Sequence, residues 1–367
     1  MNIFNTSANY TFSFFKGSIF PTHTQQQKKI LLVASLAIAF LTTCYFLYRH
    51  CFKALIIKAN DSETKKKFPV IEKVNQFKHI FIQIDGNGTL VIEDTNKDSN
   101  EYMLIMSLAK NTVAKWDSEN DAMSFKEYVF QVLHPGDKSD LLLKKEREKK
   151  IGGFLKWLTD HSHPARDIVF KNYHEIKNKL KNPEPGKVTV FPSFFVMLDK
   201  LRDMNIPFTI ILRSFGKDLK AIVDAIEGHS SGIKITHWAK FKDASLCIEG
   251  KEPLEKVEDI FNHFVTSGGH FAIQDDWHRW NQDGERGRSG KPFFYDDSGK
   301  YLGCFCDDNI TGKEFDIVQP REISGKNAST KDLYGKLIFE VNTQEAILND
   351  NYYIDIINQV IESSKKV

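Results

Sequence analysis

Phe81-Ile82-Gln83-Ile84-Asp85-Gly86-Asn87-Gly88-Thr89-Leu90 is the stretch that decides the fold. Its apolar half is too short for a helix and rich in β-branched residues, which predicts a buried strand. The run stops at a carboxylate, two glycines and a hydroxyl. Glycine tolerates positive φ and close backbone approach, so such a loop can wrap around a small anion. A carboxylate at the C-terminal edge of a parallel strand stands where open α/β sheets bind ligands. It can attack phosphorus when a metal and hydrogen-bond donors neutralise the charge that builds up. Asp and Gly are also ordinary turn residues, so the rest of the chain has to decide between a site and a turn.

Further along, apolar strands alternate with helical periods, which predicts a mostly parallel sheet. Strands are expected at Pro207 to Leu212, Ile233 to Trp238, Phe271 to Ile273, Tyr301 to Cys306 and Phe315 to Val318. Helices are expected at Phe194 to Met204, Leu219 to Ile226, Leu254 to Phe264 and Tyr352 to Ile361. Between the first strand and the next lie roughly a hundred residues with helical patterns, including one helix over Leu141 to Leu158 and another over Ile168 to Leu180. An insertion of that size predicts a helical cap over 97–182. The core of the fold then comprises 78–96 and 183–367.

The N-terminal part reads differently. Residues 1–29 form a polar, aperiodic leader, and Ile30 to Tyr48 is an apolar run long enough to cross a bilayer as a helix. No small-residue cleavage site follows, which favours a retained span over a secretory signal. Residues 49–77 form a linker, and the basic residues Arg49, Lys53, Lys58, Lys65, Lys66 and Lys67 place the soluble part in the cytoplasm by the positive-inside rule. The expectation is a single-pass membrane protein with the membrane as one partner.

Composition narrows the function further. The 367 residues are 41% hydrophobic and 27% charged, with 50 basic against 48 acidic side chains. That balance gives no global field for nucleic acid, and no nucleic-acid partner is expected. The five cysteines are odd in number and irregular in spacing, so no disulfide framework is expected, and Cys304 and Cys306 read as buried core thiols. His161 and His163 flank a serine before Pro164 and read as a loop.

Several later strands end in groups suited to phosphoryl chemistry. Ser214 offers a hydroxyl to a phosphoryl oxygen, and Asp307-Asp308 offer the hard oxygens that Mg²⁺ prefers. Lys291 can set a cation between a nucleophile and a phosphate. Asp275-Asp276 also follows an apolar strand and is a second candidate for the metal pair, with Lys242 or Lys251 as its lysine. Strand length and the preceding Lys291 favour Asp307-Asp308.

With these residues in place the chain resembles the haloacid dehalogenase-like (HAD) superfamily of phosphatases and phosphotransferases. The resemblance rests on the strand–Asp–x–Asn–Gly–Thr–Leu motif, the strand ending in Ser214, the lysine and the strand-end acidic pair. It covers about Lys78 to the C-terminus, the helical insertion excepted. It implies an α/β fold, a doubly wound, mostly parallel, Rossmann-like sheet with an inserted helical cap, here preceded by one transmembrane helix. It implies Asp85 as nucleophile through an aspartyl-phosphate and Lys291 as the bridging lysine. Thr89 and Ser214 become substrate-binding hydroxyls, and Asp85, Asn87, Asp307 and Asp308 the Mg²⁺ site. The family carries an Asp where this chain has Asn87, and that Asp serves as general acid and base. The expected function is a membrane-anchored, Mg²⁺-dependent phosphohydrolase or phosphotransferase acting on a phosphorylated substrate. Its alternative is a HAD-fold pseudoenzyme that binds phosphate or serves as a scaffold.

Overall fold

Strand β1 (His79–Asp85) forms because its side chains alternate between two apolar environments. Ile80, Ile82 and Ile84 enter one core cluster, whereas Phe81 enters a second on the opposite face. Each fully buried isoleucine contributes about 1.5–3 kcal/mol. The computed structural model describes residues 77–92, 100–137, 140–180, 188–229, 232–312, 316–325 and 328–364.

The remaining strands are β2 (Val113–Ala114), β3 (Met123–Ser124), β4 (Phe208–Ser214), β5 (Ile235–Lys242), β6 (Ser245–Ile248), β7 (His270–Gln274), β8 (Lys291–Tyr295), β9 (Tyr301–Asp307), β10 (Val318–Glu322) and β11 (Ile338–Glu340). Seven of them form one sheet in the order β11-β9-β1-β4-β7-β5-β6. All its pairings are parallel except the β5–β6 edge hairpin. The order runs outward from β1 in both directions, through β4 on one side and β9 on the other. That reversal opens a crevice at the C-terminal strand ends.

The helices are α1 (Asn100–Asn111), α2 (Phe125–Tyr128), α3 (Leu141–Gly152), α4 (Phe154–Asp160), α5 (Arg166–Leu180), α6 (Pro192–Asp203), α7 (Leu219–Gly228), α8 (Val257–Ser267), α9 (Trp277–Gln282), α10 (Thr330–Leu333), α11 (Thr343–Leu348) and α12 (Tyr352–Ser363). Helices α6, α7 and α12 cover one face of the sheet, and α8 covers the other. Helices α1 to α5 of the insertion share the first of these cores, through Leu104, Phe125, Phe154 and Ile176. Mixed α/β architecture with a mostly parallel, Rossmann-like sheet is therefore what the chain adopts.

Several expectations are corrected. The helix expected over Leu141 to Leu158 is two helices, broken at Gly152-Gly153, because glycine weakens a helix interior. The strand expected at Phe315 to Val318 begins at Val318 instead, and Phe315 lies outside the described residues. Among the described residues it pairs with β8 alone, apart from the main sheet.

The transmembrane helix expected at Ile30 to Tyr48, with its leader and most of the linker, also lies outside the described residues. Among the described residues no helix is long and apolar enough to cross a membrane. The single-pass topology, the membrane as partner, the cytoplasmic placement and the membrane-anchored phosphohydrolase thus have no structural element to rest on. The fold is corrected to an α/β sheet without a spanning helix among its described residues.

Candidate functional site

Parallel pairing brings the ends of β1, β4 and β9 to one edge of the sheet, and with them Asp85, Ser214 and Asp307. Asp85, Asp307 and Asp308 each offer a carboxylate oxygen within 4.8 Å of the others, an arrangement that could hold a metal ion. Lys291 enters from the first position of β8 and is 1% exposed. Its ammonium donates to Asp85 and, at 2.7 Å, to Asp307 Oδ2. The structure thus brings these four residues together.

Electrostatics follow from that crowding. Burial pushes the Asp85 carboxyl well above its ordinary range, the Lys291 ammonium pulls it back, and the Asp307 charge adds to the rise. Burial also works against the charge on Lys291. The carboxylates of Asp307, Asp85 and Asp275 outweigh it and hold the ammonium above its usual range. Burial raises Asp308, countered chiefly by Lys110. A divalent cation would relieve the three carboxylates in the way their hard oxygens favour.

The loop after β1 is fitted around Asp308. Gly88 has φ +75°, and a Cβ there would lie 2.7 Å from Asp308 Cγ. Thr89 is fully buried, and its hydroxyl oxygen accepts the Asp308 backbone N–H at 2.9 Å. Thr89 therefore positions the acidic loop from beneath the residues that line the cavity. Asn87 does line the cavity, and its Oδ1 is buried without a hydrogen-bond partner. An orphaned buried carbonyl of this kind costs about 1–3 kcal/mol unless something completes it. A cation or a water on one fits the donor set.

Ser214 also faces the cavity. Its hydroxyl donates to Asp218 Oδ1 at 2.8 Å and accepts the Gly216 N–H at 2.9 Å. Gly216 has room for no side chain, since a Cβ would meet Asp218 at 2.4 Å. The second acidic pair has other partners. Asp275 accepts the Nε and Nη2 donors along one guanidinium edge of Arg213, and Asp276 caps α9 through the Arg279 N–H at 3.1 Å. Lys251 is exposed after β6, and Lys242 stands on the cavity rim.

Two residues without an assigned role in the sequence reading belong to the site. Arg213 is fully buried and also donates to Gln83 Oε1 at 2.6 Å and to the Pro292 carbonyl at 2.8 Å. It thereby ties β4 to β1, to β8 and to the segment that follows β7. Its only sequence signal is a charge inside an apolar run. Lys110, on α1 of the insertion, donates to Asp308 Oδ2 at 3.2 Å. No local pattern points to it, because 198 residues separate the partners. His161 and His163 bind backbone carbonyls of Trp157 and Lys115, in the loop where the sequence puts them. Cys304 and Cys306 are buried free thiols.

Compared with family models, curated proteins and solved structures, the chain matches none. The site must be read from its own geometry. The crevice holds a cavity of about 1070 Å³ that contains Asp85, Asn87, Ser214 and Lys291.

Proposed function

We propose that the chain is a HAD-like protein that binds Mg²⁺ and a phosphate group at Asp85, Asp307 and Asp308, as a pseudoenzyme whose turnover fails at Asn87. The observation that carries this reading is the acidic triad with Lys291 lodged between two of its members. Mg²⁺ is held by few protein carboxylates and keeps positions for phosphate oxygens. Here it would screen the phosphate from Asp85, and the Lys291 ammonium would assist. Ser214 lines the same cavity beside them.

Asn87 decides between binding and turnover. The amide cannot accept a proton from water or give one to a leaving oxygen, and such transfers are typically worth ~10²–10⁴-fold. Its unpartnered Oδ1 suits a ligand-holding role instead.

Calorimetry on the full chain tests the reading, titrating MgCl₂ first and inorganic phosphate second. Phosphate binding is expected only with Mg²⁺ present. Asp85→Asn and Asp308→Ala should each weaken it. In parallel, nitrophenyl phosphate hydrolysis by the native chain should fall at least ~10²-fold below that of Asn87→Asp. Phosphate that ignores Mg²⁺, or native turnover equal to that of the variant, overturns the proposal.

A further inference from the structure

The cavity is far larger than an inorganic phosphate requires. At about 1070 Å³ it lies at the upper end of the range for pockets that enclose whole small molecules. The phosphate end, at Asp85, Ser214 and Lys291, takes up one side. The remainder is walled by the loop after β4, by β5 and by α9.

Charge is distributed unevenly along this wall. Most of its aspartates are occupied: Asp275 by Arg213, Asp283 by Arg288 and Ser289, and Asp276 by the backbone amides of Asp243 and Arg279. Lys217, Lys240 and Lys242 make no ion pair or side-chain hydrogen bond with any described residue, and all three line the cavity. They converge from two separate segments. Lys217 follows Ser214 by three residues, whereas Lys240 and Lys242 sit two apart on β5, on the face opposite the buried Phe241. Against these three ammonium groups the wall sets one carboxylate that pairs with no described residue, that of Asp243. Trp277, 44% exposed, offers the same cavity an apolar surface from α9.

Three lysines lining one cavity, with all but one of that wall's aspartates already paired, form a receptor for a second anion. We infer that the ligand is a small organic molecule carrying two phosphate groups, one at Asp85, Ser214 and Lys291 and the other at Lys217, Lys240 and Lys242. The organic body between them lies against Trp277. A lysine ammonium meets phosphate as a strongly hydrated point charge with rotatable donors, which tolerates a range of second-phosphate positions. The inference rests on the phosphate-site reading above and adds the class of ligand.

The test is calorimetric, on the full chain with Mg²⁺ at fixed ionic strength. The probes are inorganic phosphate, alkyl monophosphates, and alkanediol bisphosphates of graded spacer length. At one spacer length the bisphosphate should bind about tenfold or more tighter than its monophosphate, the gain expected from one added charge-assisted contact. The Lys217→Ala/Lys240→Ala/Lys242→Ala variant should lose that gain and keep its affinity for inorganic phosphate. A control that removes the same charge from α3, Lys144→Ala/Lys149→Ala/Lys150→Ala, should keep the gain. If inorganic phosphate binds but no bisphosphate surpasses its monophosphate, the ligand class is wrong and the phosphate site stands. The ligand class is equally wrong if the α3 control loses the gain to the same extent, since net charge then explains it. Failure of every phosphate to bind overturns both readings.

Discussion

Replacing Lys291 with Met keeps an unbranched apolar stem and removes only the ammonium. In the native protein that group lies between Asp85 and Asp307, whose side chains are 8% and 0% exposed. Breaking a buried ion pair by deleting one partner costs about 3–5 kcal/mol, because the remaining charge is left unpaired. At about 2.1 cal/mol/K of unfolding entropy per residue, 1 kcal/mol moves the Tm of a domain this large by roughly 1.5–2 °C, so Lys291→Met should lower it by roughly 5–10 °C. Mg²⁺ should restore much of the loss. Ligand at a hundred times its Kd stabilises by about 2.7 kcal/mol, and the more negative variant site holds the cation more tightly than the native one.

The pH dependence has a definite sign. Burial raises Asp85 in the native protein, and Lys291 is the principal group pulling it down. Without the ammonium its carboxyl rises further. A carboxyl raised on folding stabilises below its unfolded pKa of about 4 and loses that contribution as pH climbs through the raised value. The deficit of Lys291→Met should therefore shrink on acidification from neutral pH towards that of an ordinary carboxyl. Lys291 itself, held above the usual lysine range, stays charged across this window. Differential scanning fluorimetry with and without MgCl₂, at neutral and mildly acidic pH, measures all of this. A Tm within about 2 °C of native, or identical Mg²⁺ shifts in both proteins, would refute the reasoning.

Asp275→Ala leaves Arg213 buried without its carboxylate and should cost about 3–5 kcal/mol in urea unfolding, while Arg213→Met combined with Asp275→Leu should recover most of it. Gly88→Ala forces a side chain into a positive-φ position and against Asp308, so calorimetry should show weaker Mg²⁺ binding with the fold retained by circular dichroism. His270 accepts the Ile210 N–H at 3.0 Å and is held neutral down to about 4, first by burial and then by Arg202 and His79. A histidine lowered on folding loses its stabilising contribution as pH falls from about 6.5 through that value, so native stability should drop there. His270→Asn should flatten the decline seen in pH-dependent denaturant melts.

How far the sequence could be read depended on whether each signal was local. Strands β1 and β9 are apolar runs that end in carboxylates, and both facts sit within ten residues of sequence. Strand β8 has no such signature: its residues are uniformly buried, and Pro292, which lacks a backbone donor, argues against a strand in the usual reading. It is tolerated because, among the described residues, β8 pairs on one side, with β10. The split at Gly152-Gly153 was visible as two glycines, yet the charge pattern on either side continued the helical period. Arg213 and Asp275 lay in plain sight as charges at strand ends. Their mutual pairing depends on β4 and β7 being neighbours, which composition and periodicity do not specify.

The same distinction separates the site's chemistry from its control. When ionised, Asp85, Asp307 and Asp308 with Lys291 and Lys110 make three carboxylates and two ammonium groups, one net negative charge on largely buried side chains. A phosphate dianion is repelled by that balance. A divalent cation reverses it to one net positive charge, so cation binding must precede phosphate binding if the two share the site. Lys110 sets that threshold from α1, an element outside the strands that carry the carboxylates. Were its charge absent, the cation would bind more readily and leave less positive potential for the phosphate. The insertion thus joins the site through electrostatics as well as through its shared core, and its sequence, helical periods with surface lysines, could announce only the core.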